Sequence, residues 1–208
     1  VASWRASRAL SYAAASSSVI KRGPLLNSWL KAGYAVVRTD YEGLGVPDVT
    51  HPYLIGLSEA HSLLDIVRAA RKLDPSIGRN FVLAGHSQGG HAVLWANSQA
   101  KKYTPDLKLK GTLALAPASH IGDQASLLTS LTTQKNLTGL ASMIVRGIDV
   151  DQPALNVGTL LSDNAKALYP RIDEECLTDL SQASSFGSLA PADLFAPGAN
   201  LAPLVAAL

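Results

Sequence analysis

A short apolar run, Asn80 to Ala84, ends in Gly85-His86-Ser87-Gln88-Gly89, and a helical pattern begins at once, from Gly89 to about Lys101. This is G-x-S-x-G in the setting that gives the pattern its meaning, a strand turning directly into a helix. Such a turn holds its serine in a strained backbone, and side chains at Gly85 or Gly89 would collide with the neighbouring strand or helix. Gly89 also allows the helix to pack closely. The turn aims the Ser87 hydroxyl beyond the carboxyl end of the sheet, and the Gln88 backbone N–H, at a helix N-terminus, faces the place where an oxyanion would develop. A glycine-rich turn carrying a solvated serine is the plainer alternative.

Periodicity on either side predicts the architecture. Pro24 to Lys31 has Leu25, Leu26, Trp29 and Leu30 at helical spacing, with Gly33 to stop it, and Tyr34 to Thr39 is a short buried strand. Ser58 to Leu73 reads as a helix with Ala60, Leu63, Leu64, Val67 and Ala70 on one face and Glu59, Asp65, Arg68, Arg71 and Lys72 mostly on the others. Asp74-Pro75 ends it. Leu109 to Ala116 is a further strand. Strands alternating with crossover helices make a parallel sheet covered by helices, an α/β fold. Beyond His120 the pattern turns to short helices: Asp123 to Leu131, Leu137 to Val145, Pro153 to Leu161, Asp163 to Tyr169, Asp173 to Leu180 and Leu201 to Leu208. The expected division is 1–120 for the α/β core, with 1–23 irregular, and 121–208 for a helical region. Ala13 to Ser18 reads as a low-complexity stretch rather than a signal peptide, since it lacks a leucine-rich centre.

Composition removes several function classes. The chain has 208 residues, 18 Lys+Arg against 16 Asp+Glu, and 47% hydrophobic residues, so neither disorder nor nucleic-acid binding through bulk charge is expected. No apolar run approaches the ~18 residues of a membrane span, so no transmembrane segment is expected. The single cysteine, Cys176, has no internal disulfide partner, and no Cys/His spacing suits a metal. A second cluster, Asp40-Tyr41-Glu42-Gly43-Leu44-Gly45, follows a strand and so lies at the same sheet edge as Ser87. Asp40, Tyr41 and Glu42 either line a substrate pocket there or form a tight turn in which the glycines take positive φ.

The segments Leu25-Leu26-Asn27-Ser28-Trp29-Leu30-Lys31-Ala32-Gly33-Tyr34-Ala35-Val36-Val37, Asp40 to Gly45, His51-Pro52-Tyr53 and Gly85-His86-Ser87-Gln88-Gly89-Gly90-His91 together resemble the secretory lipase family of α/β-hydrolases, known from yeasts and actinobacteria. The likeness is close from about 24 to 118 and looser to 208. It implies a secreted serine hydrolase of fatty-acyl esters with a helical cap, a Ser-Asp-His triad, no cofactor, and a lipid or short-chain ester as substrate met in brief contact with a lipid surface. Ser87 matches the nucleophile, and Gln88 matches the residue whose N–H serves the oxyanion hole.

Two departures shape the expectations. The triad of this fold runs Ser, acid, His along the chain, yet no histidine follows His120. His51 and His61 precede the nucleophile, His86 is the variable residue of the motif, and His91 sits a turn further along the helix; His120 is the least unsuitable base. The acid and base of the triad are therefore unassigned, and the chain is expected to be incomplete at both ends. Val1-Ala2-Ser3-Trp4 matches the strand ahead of the oxyanion loop, but the His-Gly expected after it is missing. The resemblance also implies a partner for Cys176 behind that strand, which is absent; alternatively Cys176 is a small buried apolar residue. Asn136-Leu137-Thr138 is a glycosylation sequon in form. Two rival readings remain: an esterase or peptidase relative of the same fold, and a non-catalytic binding protein built on it.

Overall fold

The computed structural model describes residues 9–14, 24–46, 48–133 and 135–208. They divide into two compact units, one containing 56–119 with the chain up to 47, the other 120–208 together with 48–55. The return of 48–55 to the C-terminal unit has no counterpart in the linear pattern of the sequence.

The first unit is built on four parallel strands, β1 (Ala9–Ala14), β2 (Ala35–Arg38), β3 (Asn80–His86) and β4 (Lys108–Leu115), in the order β2-β1-β3-β4. Three helices connect them: α1 (Pro24–Lys31), α2 (Gly56–Leu73) and α3 (Gln88–Tyr103). Alternation along β3 separates two layers of core. Phe81 and Leu83 join Ala60, Leu63, Leu64 and Val67 of α2 and Ala92, Val93, Ala96 and Ala100 of α3, while Val82 and Ala84 pack with Trp29, Tyr34 and Val36 on the α1 side. The apolar stripe expected on α2 is the stripe that is buried.

β1 corrects the reading of 1–23 as irregular. Ala9 pairs with Ala35 on one side and Phe81 on the other, which makes this alanine- and serine-rich segment an inner strand of the sheet. Alanine is a poor strand former, and two hydrogen-bonded neighbours override that preference. Val1 to Trp4 and Ala15 to Ser18 lie outside the described residues.

The second unit is helical: α4 (Ile121–Ser130), α5 (Thr138–Asp151), α6 (Asp163–Leu168), α7 (Leu177–Leu180) and α8 (Ala202–Ala206). The helices expected over 153–161 and 173–180 are shorter than their patterns suggest. Pro153–Leu155 and Val157–Thr159 are single 3₁₀ turns broken by Asn156 in a left-handed conformation, and Tyr169–Asp173 is another. Residues 160–162 and 194–196 instead form an antiparallel bridge, with Ser162 N–H donating to Leu194 O (3.0 Å) and Ala196 N–H to Leu160 O (2.8 Å). Ile144, Val145, Ile148, Leu161, Leu180, Phe186 and Leu194 fill the core around α5.

On α5, Arg146 holds Asp173 with two nitrogens (3.0 and 2.7 Å) and Asp149 with a third (2.8 Å), a forked arrangement that raises its own pKa further. Gly147 on the same helix abuts the backbone of Tyr53, which is how 48–55 docks here. A Cβ at 147 would enter that backbone, so Gly147→Ala should destabilise the second unit by about 1–3 kcal/mol, as overpacking typically does; chemical denaturation checks this. Cys176 is exposed at the start of α7 rather than buried as a small apolar residue. Asn136 is exposed too, whereas the Thr138 hydroxyl is occupied in a bond to Leu189 O (2.8 Å).

Candidate functional site

Strand order locates the site before any side chain is considered. The chain passes from β1 to β2 on one side, returns to the other side of β1 as β3, and continues outward to β4. Crossovers leaving in opposite directions open a crevice at the carboxyl ends of β1 and β3, which is where open α/β sheets bind their ligands. Ser87 follows β3 at that point.

Ser87 has φ 55° and ψ −118°, outside the regions open to ordinary L-residues, and it immediately precedes α3. Such a conformation costs about 1–3 kcal/mol and persists only where the surroundings enforce it. Here they do so through the backbone. The Ser87 N–H donates to Leu115 O at the end of β4 (3.0 Å), and the Ser87 carbonyl accepts from His91 N–H (3.0 Å) and Ala118 N–H (3.4 Å). The sterics expected of the motif are present at Gly85, where a Cβ would be driven into the Gly89 carbonyl. Close packing of the helix on β4 depends on Gly90, whose missing Cβ would lie 2.8 Å from Pro117 Cα and 3.0 Å from Leu115 O. Because glycine adopts the serine's dihedrals without penalty, Ser87→Gly should stabilise the chain by about 1 kcal/mol. A lowered midpoint of urea unfolding would contradict the assigned strain.

Gln88 opens α3, so its N–H lies ahead of the intrahelical ladder at the positive end of a 16-residue helix. Its side chain is buried and turned to the rear of the site, where Nε2 donates to Glu59 Oε1 at 2.7 Å. The other carboxylate oxygen, Oε2, lies 2.8 Å from Nδ1 of the buried His91. An ionised carboxylate only accepts hydrogen bonds, so it is the Nδ1–H form of the imidazole that this contact favours. Glu59 is 0% exposed, which corrects its placement among the polar faces of α2. It stands four residues before Leu63 and eight before Val67, in the same buried row. That spacing was the available signal.

The remaining histidines are occupied differently. His86 ends β3 in register with Leu115, and His61 stacks on Tyr103 with ring centroids 3.9 Å apart. In the other unit His51 meets Tyr53 edge-on, and exposed His120 takes a left-handed conformation ahead of α4. Among the described residues of the unit that carries Ser87, no imidazole is hydrogen-bonded to the Ser87 hydroxyl.

Asp40 lies two residues beyond Arg38, the last paired residue of β2, which is level with Ala84 of β3 through Tyr12. It is exposed, and Tyr41 is 5% exposed within the core formed with α2 and α3. Glu42 Oε2 accepts from Ser58 Oγ at 2.6 Å, tying the loop to the first turn of α2. Leu44 N–H closes a turn on Tyr41 O (3.0 Å), with Gly43 and Gly45 at φ 78° and 77°, so this cluster has the features of a tight turn.

Known proteins share this fold. The rice cell wall degrading esterase LipA of Xanthomonas oryzae superposes with a TM-score of 0.80 at 21% identity over 98% of this chain and 61% of its own. Candida antarctica lipase A in its closed state gives 0.63 at 22% identity, over 79% and 42%. At such identities the likeness establishes the α/β-hydrolase fold. In sequence, Lipase A of Moesziomyces aphidis is 32% identical over 135 residues, 62% of this chain and 27% of the relative. Lipase 2 of Candida albicans is 30% identical over 159 residues, 72% and 32%. The chain thus spans about a quarter to a third of the length of these curated relatives. The secretory lipase family model matches residues 14–191, a span that takes in β2, the turn after it, the strained serine and most of the helical unit. With that span matched, and with its serine turn folded at the switch point of a parallel sheet, the chain belongs to the secretory lipase family.

Proposed function

We propose that this chain carries the nucleophile of a secreted ester hydrolase acting on fatty-acyl esters. The observation that supports it most directly is the strained Ser87 backbone at the β3–α3 junction, beside the switch point. A solvated serine in an ordinary turn would need no such conformation. In the proposed reaction Ser87 Oγ attacks the ester carbonyl and loses its proton, and the Gln88 N–H stabilises the oxyanion. The alcohol leaves with a proton, and water then cleaves the acyl-serine ester to release the acid. Gly85 and Gly89 shape the turn. The acid and base are unassigned; of the cluster after β2, exposed Asp40 contributes to the wall of the site at the sheet edge, while Tyr41 packs in the core and Glu42 ties the loop to α2.

The substrate class has separate support. Within the helical unit an almost wholly apolar cavity is lined by Ile121, Leu128, Ile144, Ile148, Leu194 and Leu204, a surface suited to an aliphatic chain. The change of pattern near His120 supports reading 1–120 as core and 121–208 as cap, with 48–55 grouped in the helical unit. Among the described residues no helix is long and apolar enough to cross a membrane.

Without a base on Ser87 the chain should be slow, since general-base help is typically worth ~10²–10⁴ in rate. Initial rates on p-nitrophenyl esters of two to sixteen carbons, set beside a p-nitroanilide, provide the test. Slow, Ser87-dependent ester cleavage favouring longer acyl chains is expected. Preference for the anilide would point to a peptidase relative. Turnover at the rate of a complete lipase, lost in His120→Ala, would show a rearranged triad and overturn the account of the missing base.

A further inference from the structure

Glu59 is wholly buried, yet the proposed chemistry does not use it. Removing a carboxylate from water costs several kcal/mol unless strong partners compensate, and packing α2 on α3 requires only the aliphatic residues found at Leu63 and Val67 of the same row. Both of its oxygens are committed to the first turn of α3, one to the Gln88 side chain (2.7 Å) and one to His91 Nδ1 (2.8 Å). Gln88 supplies the nitrogen of the peptide that leaves the strained serine, and the His91 N–H donates to the carbonyl oxygen of the same peptide. The carbonyl end of that peptide is held by the N–H groups of His91 and Ala118. At its amide end Gln88 is gripped through its side chain by Glu59.

We infer that Glu59 is a positioning residue: through Gln88 it fixes the direction of the Gln88 backbone N–H and keeps the Ser87 turn from relaxing. The inference rests on the proposed oxyanion role of that N–H. Relaxation of φ and ψ at Ser87 rotates the Ser87–Gln88 peptide, and with it this donor. Glu59 opposes the rotation from the interior, where no substrate contact is required. Loss of one oxyanion donor typically costs 10²–10³ in rate, so partial misalignment is expected to cost on the order of tenfold.

The test uses the full chain as wild type, Glu59→Ala, Glu59→Gln and Leu64→Ala, the last being an equally buried α2 residue without a polar contact to α3. At a temperature where all are folded by circular dichroism, two quantities are measured: the rate at which a fluorophosphonate captures Ser87, and the ¹H–¹⁵N resonance of the Gln88 amide. Glu59→Ala should slow capture about tenfold and shift the resonance. Glu59→Gln should restore both, because its carbonyl oxygen accepts from Gln88 and its amide nitrogen donates to the other tautomer of His91. Leu64→Ala should lower the melting temperature and leave both readouts near wild type. The inference is overturned if Glu59→Ala changes neither readout, or if Leu64→Ala changes both as much. If Glu59→Ala does not fold, Gln88→Leu breaks the same bond from α3 while keeping the amide; slowed capture supports the inference and unchanged capture overturns it. If the wild type is not captured at all, the functional reading of Ser87 fails. The Gln88 resonance then decides alone: shifted in Glu59→Ala and restored in Glu59→Gln upholds the positioning role, and unchanged refutes it.

Discussion

Ser87→Ala is expected to abolish covalent capture by fluorophosphonates and to reduce ester hydrolysis to the uncatalysed background, with no matching loss of stability. The serine hydroxyl is the proposed nucleophile, and an alanine methyl group offers no nucleophilic atom in its place. Stability should be nearly untouched because alanine retains the Cβ and therefore the same backbone strain at φ 55°. The bonds that enforce the turn run through the Ser87 N–H and carbonyl, which the substitution leaves in place. A change within about 0.5 kcal/mol is therefore expected, as for substitutions that remove no structural contact. Intact-mass spectrometry of probe-treated protein, paired with urea unfolding, separates activity from folding. Full labelling of the alanine variant would place the reactive nucleophile elsewhere and remove the basis of the hydrolase proposal.

Gly85→Val should be the most destabilising single substitution among the elbow glycines. The Cβ position at 85 lies well inside van der Waals contact of the Gly89 carbonyl and 2.9 Å from the Gly90 nitrogen, and both neighbours are backbone. A side chain in the way could rotate aside, but the first turn of α3 can yield only by moving off the sheet. A cost of at least about 4 kcal/mol is expected, at the upper limit of single-substitution effects. Gly89→Val, expected from glycine sterics to cost about 1–3 kcal/mol, should fall below it. Gly198→Ala serves as a control: nothing lies within 4 Å of its Cβ position and only its φ of 75° resists, so about 1 kcal/mol is expected. Equal urea midpoints for the Gly85 and Gly198 variants would show that strain at a positive φ, rather than the close approach of α3, governs the elbow.

What the sequence determined by itself was whatever periodicity and local sterics encode. The stripe Ala60, Leu63, Leu64, Val67 and Ala70 has helical spacing, and those residues are buried. The run from Asn80 to Lys101 could place a serine on a strained turn because the two glycines and the switch from strand to helix lie within one short segment. Pairing between distant segments was beyond its reach. Ala9 to Ala14 carries too little β-branched character to announce a strand and becomes one because β2 and β3 hydrogen-bond to both its edges. Asp173 to Leu180 had the pattern of one helix, yet the chain folds as a 3₁₀ turn followed by the four-residue α7. Glu59 shows the limit most clearly. A carboxylate on an amphipathic helix reads as solvent-facing until the fold brings an amide and an imidazole within 2.8 Å of its two oxygens. Burial of a charge depends on partners far apart in the chain, and only the tertiary structure supplies them.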